Sequence, residues 1–187
     1  MGRWEPGAGS RLRLAAMELF AEQGYDATTV ADIAGRAGVT ARTFFRHFAD
    51  KREVLFEGSA EFEAHVLSGL QAAPAAATPL QTVAAALDGV GRLLTDRSWS
   101  AQRQRVIASH AELRERELIK LASLAAAMAE ALGGRGVPAP EAALAAEAGV
   151  AVFRVAFERW VAEPVDRSLS EVLDESFAQL RALSAGP

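Results

Sequence analysis

The sequence predicts an all-α fold, with a small N-terminal three-helix unit followed by a larger helical domain. Three observations lead there. Apolar residues recur at three- and four-residue spacing through every long segment. Cap-type residues stand before these segments, and glycine or proline stands after them. One stretch, Thr28–Lys51, places two short helix signals on either side of a glycine.

In chain order, residues 1–9 (MGRWEPGAG) read as a flexible arm, since Gly2, Pro6, Gly7 and Gly9 resist regular structure. Arg11–Gln23 is the first helix, with Leu12, Ala15, Ala16, Leu19 and Phe20 as its apolar stripe and Gly24 as its stop. Thr28 and Thr29 then offer N-caps, and Asp32 lies three residues after Thr29, as in a capping box. Val30, Ile33 and Ala34 give the second helix one apolar face, and Gly38 sits where a chain turns left-handed. Thr40 caps a third helix, expected to hold Phe44, Phe45 and Phe48 on its inner side. Two short helices joined by a tight glycine turn form a helix-turn-helix. From Arg36 to Arg52 the basic residues are Arg36, Arg42, Arg46, Lys51 and Arg52, against the single acid Asp50. A short basic helix opening with Thr40, Ala41, Arg42 and Thr43 suits the major groove of double-stranded DNA. There Arg42 pairs with guanine and the threonines reach a base or a phosphate. Lys51 is expected at the start of a further helix capped by Asp50 with Glu53, where free N–H groups favour phosphate.

These residues carry a family resemblance. The run Leu12–Phe56, and within it AAMELFAEQGYDATTVADIA (Ala15–Ala34), AGVTARTFFRHFADK (Ala37–Lys51) and Val54-Leu55, resembles the DNA-binding domain of TetR-type transcriptional regulators. The resemblance implies an all-helical dimer that blocks a promoter until a small molecule binds. It also implies phosphate contacts at Thr29, Thr40, His47 and Lys51, and base-facing positions at Arg42 and Thr43. Where the family usually has tyrosine, with its hydroxyl on a phosphate, this chain has Phe45. That contact is then lost or passes to Arg46 or His47.

Beyond the head, Asp50 to about Leu70 is expected as one long helix shared by both units, a natural lever. QAAPAAATP (Gln71–Pro79) is a small-residue linker, and Thr78 caps the next helix with Pro79 in its first turn. That helix runs to about Leu94, with Val83, Leu87, Val90 and Leu94 inward. Asp96–Ser98 breaks the chain before a short helix, Trp99–Ser109. Glu112–Leu132 follows, its charged start reading as a solvated face and its Ala/Leu-rich remainder as core. GGRGVPAP (Gly133–Pro140) is the clearest loop. Glu141–Glu163, with Leu144, Ala148, Val152, Val155 and Phe157, is stopped by Pro164. Ser168 and Glu171 open the last helix with a capping box. The apolar surface of this final pair suits a homodimer interface, two pairs forming a four-helix bundle. Dimerisation presents two recognition helices at half-sites about 34–36 Å apart.

Charge supports the division. Through Arg52 there are eight basic and six acidic residues; the remainder carries twelve against eighteen, within a formal net charge of −4. A weakly basic head on an acidic body fits a DNA-binding domain joined to a sensor domain. With no cysteine, disulfides and thiolate chemistry are excluded, which fits a cytoplasmic location. No apolar run approaches the ~18 residues of a membrane span, and MGRWEPGAGS lacks the apolar core of a signal peptide. His47, His65 and His110 lie far apart and outside any HExxH spacing, there is no GxSxG elbow, and Gly133–Gly136 follows a helix rather than a strand. The expectation is therefore no enzyme, no metal and no cofactor.

The domains expected are the arm at 1–9, a helix-turn-helix domain at 10–56 and a ligand-binding and dimerisation domain at 57–187. An Ala- and Leu-rich helical body leaves an apolar cavity for a small-molecule effector. The candidate contacts are Trp99, Arg103, His110, Phe153, Arg154 and Phe157, and their arginines favour an anionic group such as a carboxylate or acyl thioester. The function expected is a ligand-released repressor binding a palindromic operator as a dimer. The alternative is a helix-turn-helix protein with an architectural or segregation role and no ligand.

Overall fold

The computed structural model describes residues 7–163 and 167–184. Among them the regular structure is entirely helical: α1 (Ala8–Gln23), α2 (Val30–Arg36), α3 (Ala41–His47), a 3-10 turn (Glu53–Phe56), α4 (Ser59–Ala72), α5 (Pro79–Gly91), α6 (Arg97–Ser109), α7 (Ala111–Gly134), α8 (Ala139–Ala162) and α9 (Leu169–Ser184). α1 begins at Ala8, inside the expected arm. Residues 1–6 of that arm, and Pro164 as the stop of the eighth helix, lie outside the described residues. No helix is long and apolar enough to cross a membrane among the described residues.

Local capping chemistry is where it was expected. The Thr29 hydroxyl accepts from the Asp32 N–H at 3.1 Å, and the Asp32 carboxylate accepts the Thr29 N–H at 2.9 Å. Thr78 with Gln81 and Ser168 with Glu171 form the same reciprocal box. Thr40 receives the Thr43 N–H at 3.2 Å. Each box satisfies N–H groups that no turn of helix can reach.

The long helix expected from Asp50 to Leu70 is broken. The Asp50 carboxylate accepts the N–H groups of Arg52 and Glu53, but only the 3-10 turn follows. Glu57 is then extended, Gly58 adopts φ +85°, and α4 starts afresh at Ser59. Side chains with a Cβ rarely adopt that φ, so the glycine allows the break.

The chain packs as two units. The head runs to Gly58 and includes Gln102–Glu115; the body comprises Ser59–Ala101 and the chain from Arg116 onward. Thus α4 belongs to the body alone, while α6 and α7 each divide their residues between units. In the head, α1, α2 and α3 enclose Leu12, Phe20, Tyr25, Ile33, Phe44 and Phe48, closed by Val54–Phe56 of the 3-10 turn. Gln102 and Arg103 cap carbonyls of the same unit: Gln102 Nε2 donates to Met17 O at 2.8 Å and Arg103 Nε to Leu55 O at 2.6 Å.

The body is built on α5, which packs against α4, α8 and α9. Three glycines let these helices approach. A Cβ on Gly69 would meet the Ala86 backbone at 2.9 Å, one on Gly91 would meet Leu173 at 2.9 Å, and one on Gly149 would meet Val83 Cγ1 at 2.2 Å. That seam also decides which face of α8 points inward. Ala142, Ala145, Ala146, Val152, Phe153, Ala156 and Trp160 are buried, whereas Leu144 (72%) and Val155 (48%), two of the apolar residues of the final helix pair, are exposed. At Gly149 the Val83 side chain of α5 occupies the space that a Cβ would need.

Candidate nucleic-acid interface and effector wall

The seven-residue α3 is held from behind by Phe44, fully buried, and Phe48, their rings 5.4 Å apart. This fixes the outward face. Ala41, Arg42, Phe45 and Arg46 occupy positions one, two, five and six of the helix, adjacent on one side, and all four are exposed. His47 is exposed beyond them. Phe45 therefore corrects its expected place: it is 57% exposed and meets Phe44 only edge-on, at 5.5 Å. Positions 44 and 48 lie about 40° apart and share the inner stripe, while 45, about 100° round from 44, falls at its edge and is left outside by the packing of α1 and α2 on Phe44 and Phe48.

Electrostatics sort the basic residues of the motif into two groups. The Arg36 guanidinium binds both Glu22 oxygens, at 2.7 and 2.9 Å, and Glu18 at 3.3 Å. That bond holds the Glu22 carboxyl below the usual carboxylate range. Arg52 pairs with Asp50 at 2.5 Å and approaches Glu112 at 3.9 Å. Lys51 turns inward: its ammonium donates to the carbonyls of Tyr25 (2.8 Å), Thr28 (3.1 Å) and Asp26 (3.4 Å) and lies 4.2 Å from the Tyr25 ring centre. Three donors are thereby engaged on the α1–α2 loop instead of at a helix N-terminus. Arg42 and Arg46 have no hydrogen-bond or ion-pair partner among the described residues, so the face of α3 offers two uncompensated guanidinium groups. Thr29 and Thr40, both exposed, use their hydroxyls in caps, and Thr40 Oγ1 lies 3.2 Å from that of half-buried Thr43. The Thr29 hydroxyl and N–H keep the Asp32 carboxyl below its ordinary value.

The expected effector contacts divide. Arg103 and His110 belong to the head. Besides its bond to Leu55, Arg103 lies 5.3 Å from the Phe56 ring centre. His110 packs on the Tyr25 ring at 4.8 Å, with Nε2 3.5 Å from Asp26. The Tyr25 hydroxyl is buried without a hydrogen-bond partner among the described residues; burial pushes it well above the tyrosine range, and the Glu112 carboxylate raises it further without completing a bond. Trp99, Phe153, Arg154 and Phe157 belong to the body. There Phe153 is buried, Trp99 and Phe157 are half-buried and Arg154 is exposed. Phe153 meets Phe157 at 5.9 Å and Phe62 at 5.3 Å, and Phe157 meets Trp160 at 5.8 Å. Phe62, from α4, joins this wall across 91 residues of sequence; no local spacing marks that meeting.

Comparison with known proteins places both parts of the chain in one family. Residues 12–57 match the model of bacterial regulatory proteins of the tetR family, and residues 77–185, over half of the chain, match the MftR C-terminal domain of the same class. The chain is 44% identical over 75 residues to the HTH-type transcriptional regulator TcmR of Streptomyces glaucescens, covering 40% of this chain and 33% of that protein. It is 49% identical over 49 residues to the HTH-type transcriptional repressor KstR2 of Mycobacterium tuberculosis, covering 26% of this chain and 24% of the relative. The chain thus matches a third or less of the length of these relatives. The fold is similar to the FadR transcriptional regulator of Bacillus subtilis in complex with stearoyl-CoA (TM-score 0.64, 21% identity, 91% of this chain and 96% of that one). With a capped helix-turn-helix in one unit, an all-helical second unit and both parts matched, the chain belongs to the TetR family of bacterial transcriptional regulators.

Proposed function

We propose that this protein is a cytoplasmic repressor that binds a palindromic operator as a homodimer and is released by a small hydrophobic effector. The observation that carries the reading is the outward face of α3. Its two guanidinium groups are uncompensated, while the other basic residues of the motif are consumed inside the head. A face so arranged spends its free charge on DNA, with Arg42 at base edges and Thr40, Thr43, Arg46 and His47 toward base or phosphate. Thr29 stands at the rim, and Lys51 reaches phosphate only by releasing the loop carbonyls. Dimerisation is assigned to α8 and α9, whose outer faces carry Leu144, Val155 and Leu183. A dimer supplies the second half-site that one short helix needs.

The effector is assigned to the body domain, beside the Phe62–Phe153–Phe157 wall. That wall suits an acyl chain, and the stearoyl-CoA bound by the B. subtilis FadR is a ligand of this class. Without a helix from Asp50 to Leu70, the response is assigned to α6 and α7, which run unbroken from body residues into Gln102–Glu115 of the head. A preference of about 1–3 kcal/mol for the released state weakens DNA binding several-fold to a hundredfold.

Selection of bound duplexes from a random pool tests the first half. A palindrome with two half-sites supports the reading; a featureless pool refutes it in favour of an architectural DNA binder. A thermal-shift series of acyl-CoA thioesters, fatty acids and uncharged apolar drugs tests the second. A stabilising hit that also lowers operator affinity is expected, and no shift across the series removes the effector.

A further inference from the structure

Phe45 has no polar atom to offer a phosphate, yet it stands at the centre of the face that α3 turns outward. Its ring is 57% exposed, braced edge-on against the buried Phe44, which fixes the direction it points. Arg42 precedes it by three residues and Arg46 follows it directly, both exposed and uncompensated. Ala41 lies one turn before it on the same side, with only a methyl group. Around the helix axis the Ala41 methyl and the Phe45 ring lie about 40° apart and bound an apolar notch, and the two arginines lie side by side on its flank.

A phenyl ring cannot read the donors and acceptors of base edges. On the floor of a major groove the apolar feature of a base pair is the 5-methyl group of thymine. The arginines beside the ring draw it into that groove by charge complementarity with the phosphate walls. We infer that Phe45 is a specificity residue, seating a thymine methyl in the notch it forms with Ala41 and so fixing one A·T pair in each half-site. The inference rests on the DNA-binding reading above. It adds a contact that is independent of salt and of hydrogen bonding, beside the charge-dependent contacts of Arg42 and Arg46.

The test uses the full-length protein and its selected operator, with each thymine of a half-site replaced in turn by deoxyuridine, which removes only the methyl group. Burial of one methyl corresponds to about fourfold in affinity, hence about fifteenfold when both half-sites are changed. The expected result is such a loss at one thymine position for the wild-type protein. F45A should bind the thymine operator more weakly and show no further loss on deoxyuridine at that position. F45L, which keeps apolar bulk, should retain most of the discrimination. The ring is exposed, so unchanged circular dichroism and melting temperature should accompany both variants. Equal wild-type binding to every deoxyuridine operator overturns the inference, as does a loss in F45A equal to that of wild type, while the DNA-binding reading stands in both cases. If wild-type protein retains no duplex at all, the DNA-binding reading fails and takes this inference with it.

Discussion

Replacing Lys51 with methionine keeps the stem that lies along Tyr25 and removes the ammonium. In the structure that ammonium donates to three carbonyls of the α1–α2 loop at 2.8, 3.1 and 3.4 Å and faces the Tyr25 ring. A hydrogen bond from a charged donor contributes about 1.5–3 kcal/mol, and a cation–π contact about 0.5–2 kcal/mol. The contributions do not add, because the group is half-buried, the 3.4 Å contact is long, and an exposed carbonyl regains water on release. A net loss of about 2 kcal/mol follows, worth about thirtyfold in a local opening equilibrium. The assay is native-state hydrogen exchange at the Thr28 amide, which donates to the Tyr25 carbonyl and whose side chain is buried. Exchange there should accelerate about thirtyfold in Lys51→Met, while body amides on α5 and α8 stay unchanged. An unaltered Thr28 amide, together with weaker binding to all DNA sequences and a salt slope lower by about one per head, would refute the reasoning. It would return Lys51 to the phosphate backbone.

The seam between α5 and α8 makes Gly149→Ala costly: its Cβ would sit 2.2 Å from Val83 Cγ1, and overpacking of this kind destabilises by about 1–3 kcal/mol, readable as a lower urea midpoint. Arg42→Ala should relax base preference at one position per half-site, whereas Arg36→Ala, whose guanidinium is consumed by Glu22 and Glu18, should leave operator affinity within about twofold in filter binding. A double change of Leu144 and Val155 to Glu should shift the protein to monomer in light scattering while leaving the circular dichroism intact, since both side chains are exposed in the single chain. Acid should loosen the head through its capping box. The Asp32 carboxyl is held below its ordinary 3.8, so the folded state binds fewer protons there than the unfolded one. The box contributes fully above that value and is lost as pH falls through the lower folded value. Asp32→Asn should therefore give a flatter acid-unfolding profile of the head than wild type.

Much of the head was legible because its signals are local. Thr29, Asp32, Thr40 and Gly38 act within four residues of themselves, and so do Thr78 and Ser168 further on; a cap needs only the turn it closes. The face of Phe45 was not read correctly, because three phenylalanines in five residues all look apolar and only the packing of α1 and α2 on Phe44 and Phe48 decides which one is left outside. The placing of Arg103 and His110 in the head unit was not legible for a similar reason: nothing near residue 103 announces the Leu55 carbonyl that receives its guanidinium.

By itself the sequence determined the helical class, the helix-turn-helix, the caps, the family and the basic character of the third helix, since each depends on periodicity, turn chemistry or charge over a few residues. Tertiary structure alone decided which cations remain free. Arg36, Lys51 and Arg52 count equally with Arg42 and Arg46 toward the basic charge of the motif, until Glu22, the loop carbonyls and Asp50 come within bonding distance. It also decided that α4 belongs to the body and that Gln102–Glu115 belongs to the head. A long-range contact has no signature in the residues on either side of it; it exists only once the chain has closed the intervening loop.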